Sequence, residues 1–425
     1  MKYRLFVLVV AVSLLLAACG NGNAPAGSGA PVEIRMMMWG DPAELEVWNQ
    51  IVADFHQSNP NITVNVEVSD WDSYWTKLKT LLSAETPPDV FAIDAPLYLD
   101  YQTRGVLLNL QPYLDKNPAM LQGVYPQTLE AYKTPDGMYG LPRDFQTIVL
   151  FYNKDMFDAA GVAYPTVDWT YDDLRNAAKQ LTKDANSDGK LDQFGFYSDL
   201  WDMELIWSEA IWAYGGDVIS ADHTQTLIGE PKAREAWQLF NDMMFVDKSW
   251  PDANTAGEYG GDPFLAGVAA MTTIGHWVVP GYAEVSFKWD VAPMPKGPAG
   301  QATSVNSAGF VVAKASKNPD ASFEFLKYVL SEPAQKRLAE LGFACPVLKD
   351  VAESDTFLKQ STPINHQVFL DSLSFAHMKP VFKGYDEWSS TIGDGMATIW
   401  TGEAELSSTL DEVVKTANEV LASNK

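Results

Sequence analysis

Residues 33 to 39, "EIRMMMW", end in four consecutive apolar residues and have the length of a buried strand. The Asp41-Pro42 pair behind it has the chemistry of a helix cap followed by a first-turn proline. Leu45, Trp48, Ile51, Val52 and Phe55 then recur at helical spacing until Asn59-Pro60 stops them. "ITVNVEV" (62–68) alternates strictly between apolar and polar, as a half-buried strand does. Trp71, Trp75, Leu78 and Leu82 mark a second helix, and "PPDVFAID" (87–94) a third strand. This β-α-β-α-β order predicts a parallel, helix-covered sheet, in which ligands bind beyond the carboxyl ends of the strands. Trp39, Asp41 and Asp94 fall at those ends.

The same alternation restarts after residue 141. An Arg143-Asp144 pair stands directly ahead of a β-branched and aromatic run, Thr147 to Tyr152, that predicts a buried strand. "NKDMFDAAG" (153–161) predicts a helix with a glycine stop, and "WTYDDLRNAAKQLT" (169–182) carries a capping box from Thr170 to Asp173. "DVAPMP" (290–295) and "AGFVVAKAS" (308–316) predict later strands, followed by a helix over "PDASFEFLKYVLSE" and a largely helical region from 386 onward. No internal repeat of fixed period interrupts this pattern.

The N-terminus changes the picture by saying where the chain works. Lys2 and Arg4 precede an apolar run from Leu5 to Ala18, which has the length and flanks of a signal segment (1–18) and not of a membrane span. It ends in "LAACG", which resembles a lipobox whose thiol, on Cys19, receives a lipid. "NGNAPAGSGAP" then reads as a flexible tether through residue 32. The expected location is extracytoplasmic, anchored to the membrane by lipid alone. With Cys19 lipidated, Cys345 has no disulfide partner and reads as a small buried apolar residue. A net charge of −25 argues against nucleic-acid partners and anionic membrane surfaces, which require clustered Lys and Arg.

"YGLPRDFQTIVLFYNKDMFDAAGV", then "PTVDWTYDDL", then "GFVVAKASKNPDASFEFLKYVLSEPAQ" together resemble the extracellular solute-binding proteins of sugar-importing ABC transporters, the maltose-binding-like group. The resemblance implies a type II-like periplasmic-binding-protein fold: two α/β lobes, each a helix-covered sheet, joined by a multi-strand hinge and closing on a sugar or oligosaccharide for delivery to permease subunits. The expected lobes are 33–142 with 293–332, and 143–292 with 333–425, in a monomer. In this frame Arg143 and Asp144 sit at the floor of the cleft and hydrogen-bond ligand hydroxyls. Alternatively they cap a strand end or bridge the lobes.

A sugar site needs flat aromatic faces and polar groups that satisfy desolvated hydroxyls. Among the 14 tryptophans, Trp277 in "TTIGHWVVPGY" matches the family's Gly-x-Trp stacking element, and Trp388 in "GYDEWSS" lies where a C-terminal helix contributes another. Trp201 with Asp202 and Glu204 falls where the second lobe makes contacts, and Trp39 and Trp71 are the first-lobe candidates. Trp48, Trp75, Trp207, Trp212, Trp237 and Trp400, at helical spacing, read as packing.

"DANSDGKLDQFG" (184–195) places Asp184, Asn186, Asp188, Gly189 and Asp192 at calcium-loop positions, but Gly195 stands where a bidentate Glu is needed. A plain turn and a weak structural calcium site both remain open; no other cofactor is expected. The five histidines show no paired spacing, and no nucleophile elbow or phosphate loop is present. The competing functions are a lipid-anchored glycoside hydrolase, which needs two opposed carboxylates, and a surface polysaccharide-binding adhesin. A phosphorylated solute would call for more clustered Arg and Lys.

Overall fold

The structure, a computed structural model, describes residues 30–363 and 365–424. The signal segment, Cys19 and the tether up to residue 29 lie outside the described residues. The first lobe is built on a five-stranded sheet in the order Ile62–Ser69, Val32–Trp39, Val90–Asp94, Ala308–Val312, Gly140–Pro142. The first three strands are parallel, as the alternation predicts, and the last two run antiparallel to their neighbours. Trp39 lies beside Ser69 and Asp94 beside Ala308, so the carboxyl ends converge on one edge.

Local chemistry fixes the helices on this sheet. Asp41 caps the Pro42–Ser58 helix by accepting the Glu44 N–H at 2.8 Å, and Asp70 caps Trp71–Ser83 through the Ser73 N–H at 3.0 Å. Trp48 packs edge-on against Phe310, and Phe55 against Phe325 of the Pro319–Val329 helix. Such aromatic pairs add about 0.5–1.5 kcal/mol each to their area burial.

The second lobe centres on an antiparallel sheet, Trp289–Ala292, Val149–Asn153, Met271–Ile274. Its Tyr171–Leu181 helix carries the full capping box from Thr170 to Asp173. Between the two lobes a small sheet gathers Gln146–Thr147, Thr303–Asn306 and Ala376–Met378. The run expected as one strand from Thr147 to Tyr152 is therefore divided: its start belongs to this crossing sheet and its remainder to the second lobe. Ile148 separates the two.

The lobe boundaries also move. Residues 303–306 pair in the crossing sheet, so the first lobe resumes at Ala308 rather than at 293. The Glu332–Glu340 helix, expected in the second lobe, stays with the first: Arg337 pairs with Asp54 at 2.8 Å, and Tyr125 donates its N–H to the Val347 carbonyl at 3.0 Å. The C-terminal helices Tyr385–Trp400 and Leu406–Ser423 pack on each other, and the first of them reaches back across the lobes, where Asp386 meets Lys79 at 2.9 Å.

Candidate ligand cleft

A cavity of about 440 Å³ lies between the lobes. The first lobe contributes Trp39, Gly40, Asp41, Glu44, Asp70, Trp71 and Asp94, all at or just beyond the carboxyl ends of its strands. The crossings contribute Arg143, Asp144, Gln146, Asn306 and Ala308, and the second lobe Trp201, Asp202, Glu204 and Trp277. Ten of the eleven residues singled out in the sequence are thus brought together on one surface; Trp388 is not. Its indole is fully buried, donates Nε1–H to Thr226 Oγ1 at 2.8 Å and packs on Phe382 and Tyr385. A helix position in an apolar stripe keeps it in the core. The six tryptophans expected in packing are all buried.

Trp277 owes its pose to Gly275. The glycine has an ordinary extended backbone (φ −91°), so no tight bend requires it. Its role is to be bare: a Cβ there would fall 1.9 Å from Cζ3 of the Trp277 ring. The indole therefore lies over the Gly275 backbone and reaches the cavity. Trp201, 46% exposed, rests in the same way on Gly393 of the 385–400 helix. Gly275→Ala is expected to displace the indole and weaken ligand binding about tenfold while leaving the fold near native, checked by calorimetry and the melting temperature of the ligand-free variant.

Arg143 is caged. Its guanidinium carbon lies 5.1 Å from the Trp39 ring centre, 5.4 Å from Trp48, and 5.5 Å from both Phe310 and Phe343. Its Nε stands 3.0 Å from Asp144 Oδ2, in ionic contact but misaligned for a hydrogen bond, and neither carboxylate oxygen has a hydrogen-bond partner. Burial raises the Asp144 carboxyl to about 6 against the pull of Arg143. The pair lines the cavity, and the Arg143 backbone N–H, donated to the Ala308 carbonyl at 2.9 Å, ties the strand end to the first lobe.

Several lining residues escaped sequence reading. Glu44 looked like any first-turn acid; its carboxylate lies over Gly40, where a Cβ would come within 2.1 Å of Oε2, and burial raises it to about 7. Gln146 stands two residues after the charged pair, and its Oε1 accepts the His276 N–H at 3.1 Å. Asn306 donates to Asp94 Oδ1 at 2.6 Å. Lys379, which lies behind Asp94, Asp202 and Glu204 and not on the cavity wall, gave no signal at all.

A model of the bacterial extracellular solute-binding protein family matches residues 39–336. The chain belongs to that family. This solute-binding protein is similar over its length to the galactooligosaccharide-binding protein of Bacillus subtilis, at 24% identity covering 98% of this chain and 96% of the relative. Its structure is similar to that of an ABC substrate-binding protein from Listeria monocytogenes in complex with cycloalternan, with a TM-score of 0.85, 27% identity, and 92% and 99% of the two chains covered. The maltose-bound MalE3 of T. maritima shares the two-lobe fold at a TM-score of 0.80 and 22% identity, with 92% of this chain and 100% of that chain covered.

The solute-binding protein holds its acids in a dry setting. Glu209, fully buried behind the cleft, accepts the Ser304 N–H at 3.1 Å, the Ser304 hydroxyl at 2.5 Å and the Ser208 hydroxyl at 3.1 Å, yet burial raises its carboxyl to about 8. An acid of this kind binds its proton more tightly in the native than in the unfolded chain. Its stabilising effect is complete below the unfolded value near 4.5 and is lost as pH rises toward 8. The ligand-free melting temperature should therefore fall between pH 5 and pH 8, and Glu209→Gln should make that fall shallower, as differential scanning would show.

Two histidines without sequence proximity meet behind Trp277: His276 Nε2 lies 3.1 Å from His366 Nδ1, and burial lowers the two rings to about 3 and about 4. They are neutral packing partners at ordinary pH. In the 184–192 loop, Asp184 accepts the amides of Asp188 and Gly189 at 3.2 and 2.9 Å, and Asp192 those of Ala185 and Asn186 at 2.8 and 3.3 Å. These carboxylates serve the loop's own turns. Among the described residues no group of three metal-ligating side chains is gathered, and no helix is long and apolar enough to cross a membrane.

Proposed function

We propose that this solute-binding protein takes a sugar or oligosaccharide into the interlobe cavity and delivers it to the permease subunits of an ABC importer. The observation that carries this reading is the lining itself: indoles from both lobes, Trp39 and Trp71 facing Trp201 and Trp277, interleaved with Asp41, Asp94, Arg143, Asp144, Asp202 and Glu204. Flat aromatic faces cover the C–H face of a pyranose, and the carboxylates accept from its hydroxyls, which would otherwise be buried without partners. The cavity falls in the range of about 300–1,000 Å³ typical of small-molecule sites. Relatives named for galactooligosaccharide and maltodextrin support the same solute class.

Ligand spans both lobes only when they are closed, so it shifts an open–closed equilibrium by its differential affinity for the two states. The saccharide is bound and returned intact, and the protein acts as a monomer held at the membrane through a lipid on Cys19. The test is a thermal-shift screen of the tether-free chain against mono- and oligosaccharides, since binding to the native state raises the melting temperature by mass action. A saccharide that raises it and is recovered unchanged supports the reading. A chain that no saccharide stabilises, or that releases cleaved product catalytically, overturns it.

A further inference from the structure

Lys379 is a fully buried cation that does not line the cleft, and it touches three residues that do. Its Nζ lies 3.2 Å from Glu204 Oε2, 3.3 Å from Asp202 Oδ1, to which it donates a hydrogen bond, and 3.8 Å from Asp94 Oδ2. Asp94 ends a strand of the first lobe; Asp202 and Glu204 belong to the second. The cation follows directly on the Ala376–Met378 strand of the crossing sheet, which pairs in parallel with Thr303–Val305. A small side cavity of about 40 Å³ is bounded by Lys379, Asp94 and Asp202, with Trp71 on one lobe and Trp201 on the other.

We infer that Lys379 is a positioning residue of the binding site, the shared counter-charge that lets carboxylates from two lobes approach each other when the cleft shuts. This rests on the binding reading above only in taking closure to be the functional motion. Buried like charges brought together without a partner oppose association strongly, because little water remains to screen them. The groups facing Lys379 are Asp94, Asp202, Glu204, the Tyr385 ring at 6.0 Å and, along the side cavity, Asp386, which is paired with Lys79. Asn306 holds Asp94 from the other side, and Arg143 acts on Asp94 from farther off, held by Asp144. Among the described residues no second cation is in contact with the trio, so Lys379 is its main counter-charge. Burial and the neighbouring acids raise Glu204 to about 8, with Lys379 pulling the other way, which agrees with an acid-rich group held by one cation.

The charge argument makes a pH-dependent prediction that a purely structural role would not. With Lys379→Met, Asp94 and Glu204 lose the cation that favours their ionised forms, so closing the cleft at pH 8 means either burying like charges together or taking protons from a medium poor in them, and the lobes should part. At pH 5.5 Glu204 already holds its proton and the lobes should come back together. Small-angle X-ray scattering of the tether-free, sugar-free chain reads this directly, and needs no knowledge of the ligand, so its failure is separate from failure of the saccharide screen. Expected is a radius of gyration larger for Lys379→Met than for wild type at pH 8, a difference that shrinks at pH 5.5, and a Lys379→Arg variant that follows wild type. Superimposable curves for all three chains at both pH values would overturn the inference. So would an opening of Lys379→Met that is equal at both pH values and not rescued by arginine. If Lys379→Met does not fold, Asp94→Asn takes its place: it removes the first-lobe end of the bridge while the cation keeps both second-lobe partners, and it should open the chain at pH 8, a wild-type curve counting against the inference.

Discussion

Arg143→Ala should destabilise the ligand-free protein by about 3–5 kcal/mol, the usual consequence of removing one partner of a buried ion pair. Two effects combine. Asp144, 1% exposed, is left without its counter-charge, and the space between Trp39, Trp48, Phe310 and Phe343 is left empty. The charge part has a sign that can be checked. Because the Asp144 carboxyl already titrates near 6, it is largely neutral at pH 5 and ionised at pH 8, so the loss should be greater at pH 8. Asp144→Asn added to Arg143→Ala should recover part of the loss at pH 8, and Arg143→Lys should fall between, since an ammonium keeps the charge but not the planar stacking. Urea midpoints at the two pH values decide this; a loss independent of pH would show that packing, and not charge, sets the effect.

Trp277→Ala should weaken saccharide binding about tenfold to hundredfold, which corresponds to roughly 1–3 kcal/mol of stacking. The indole is only half-buried, lies over the Gly275 backbone and touches the core at its edge, so the ligand-free melting temperature should fall far less than for a fully buried ring. Trp388→Ala is the control with the opposite signature. Removing a fully buried ring with a hydrogen-bonded Nε1 should lower stability by about 3–5 kcal/mol and leave affinity in the folded fraction unchanged. Calorimetry and melting curves on the two variants separate the roles. A large fall in melting temperature for Trp277→Ala with affinity retained would remove it from the site.

The contrast between these two tryptophans also shows what could be read in the chain. Trp277 could be singled out because its Gly-x-Trp setting matches a stacking element of the family the sequence resembles, and the structure adds that the bare Gly275 leaves room for the ring. Trp388 shared its residue type and acidic surroundings, and nothing local tells a ring facing the cleft from one facing Thr226. Trp39, Asp41 and Asp94 were legible from topology, since the ends of parallel strands are fixed by the βαβ pattern before any long-range contact is known. Glu44 and Lys379 were not. Their significance lies in desolvation and in neighbours from distant segments, and the Lys379 partners Asp94 and Asp202 stand far from it in sequence. The division of 146–153 between two sheets escaped for a similar reason: a β-branched run announces a strand but not which partner each residue will pair with.

The strand Ala308–Val312 lies in the interior of the first sheet, between Val90–Asp94 and Gly140–Pro142, although most of the chain is made before it. A polypeptide growing from its N-terminus therefore leaves Val90–Asp94 with a bare edge until a strand more than two hundred positions later has emerged. Such long-range closure is slow, and an open edge of this kind invites pairing with other chains. It follows that the first lobe cannot be obtained by truncation. A fragment ending anywhere before Ala308 is an unfinished sheet and not half a protein, and an isolated first lobe has to be assembled by splicing the segment that ends at Pro142 onto the one that begins at Ala308.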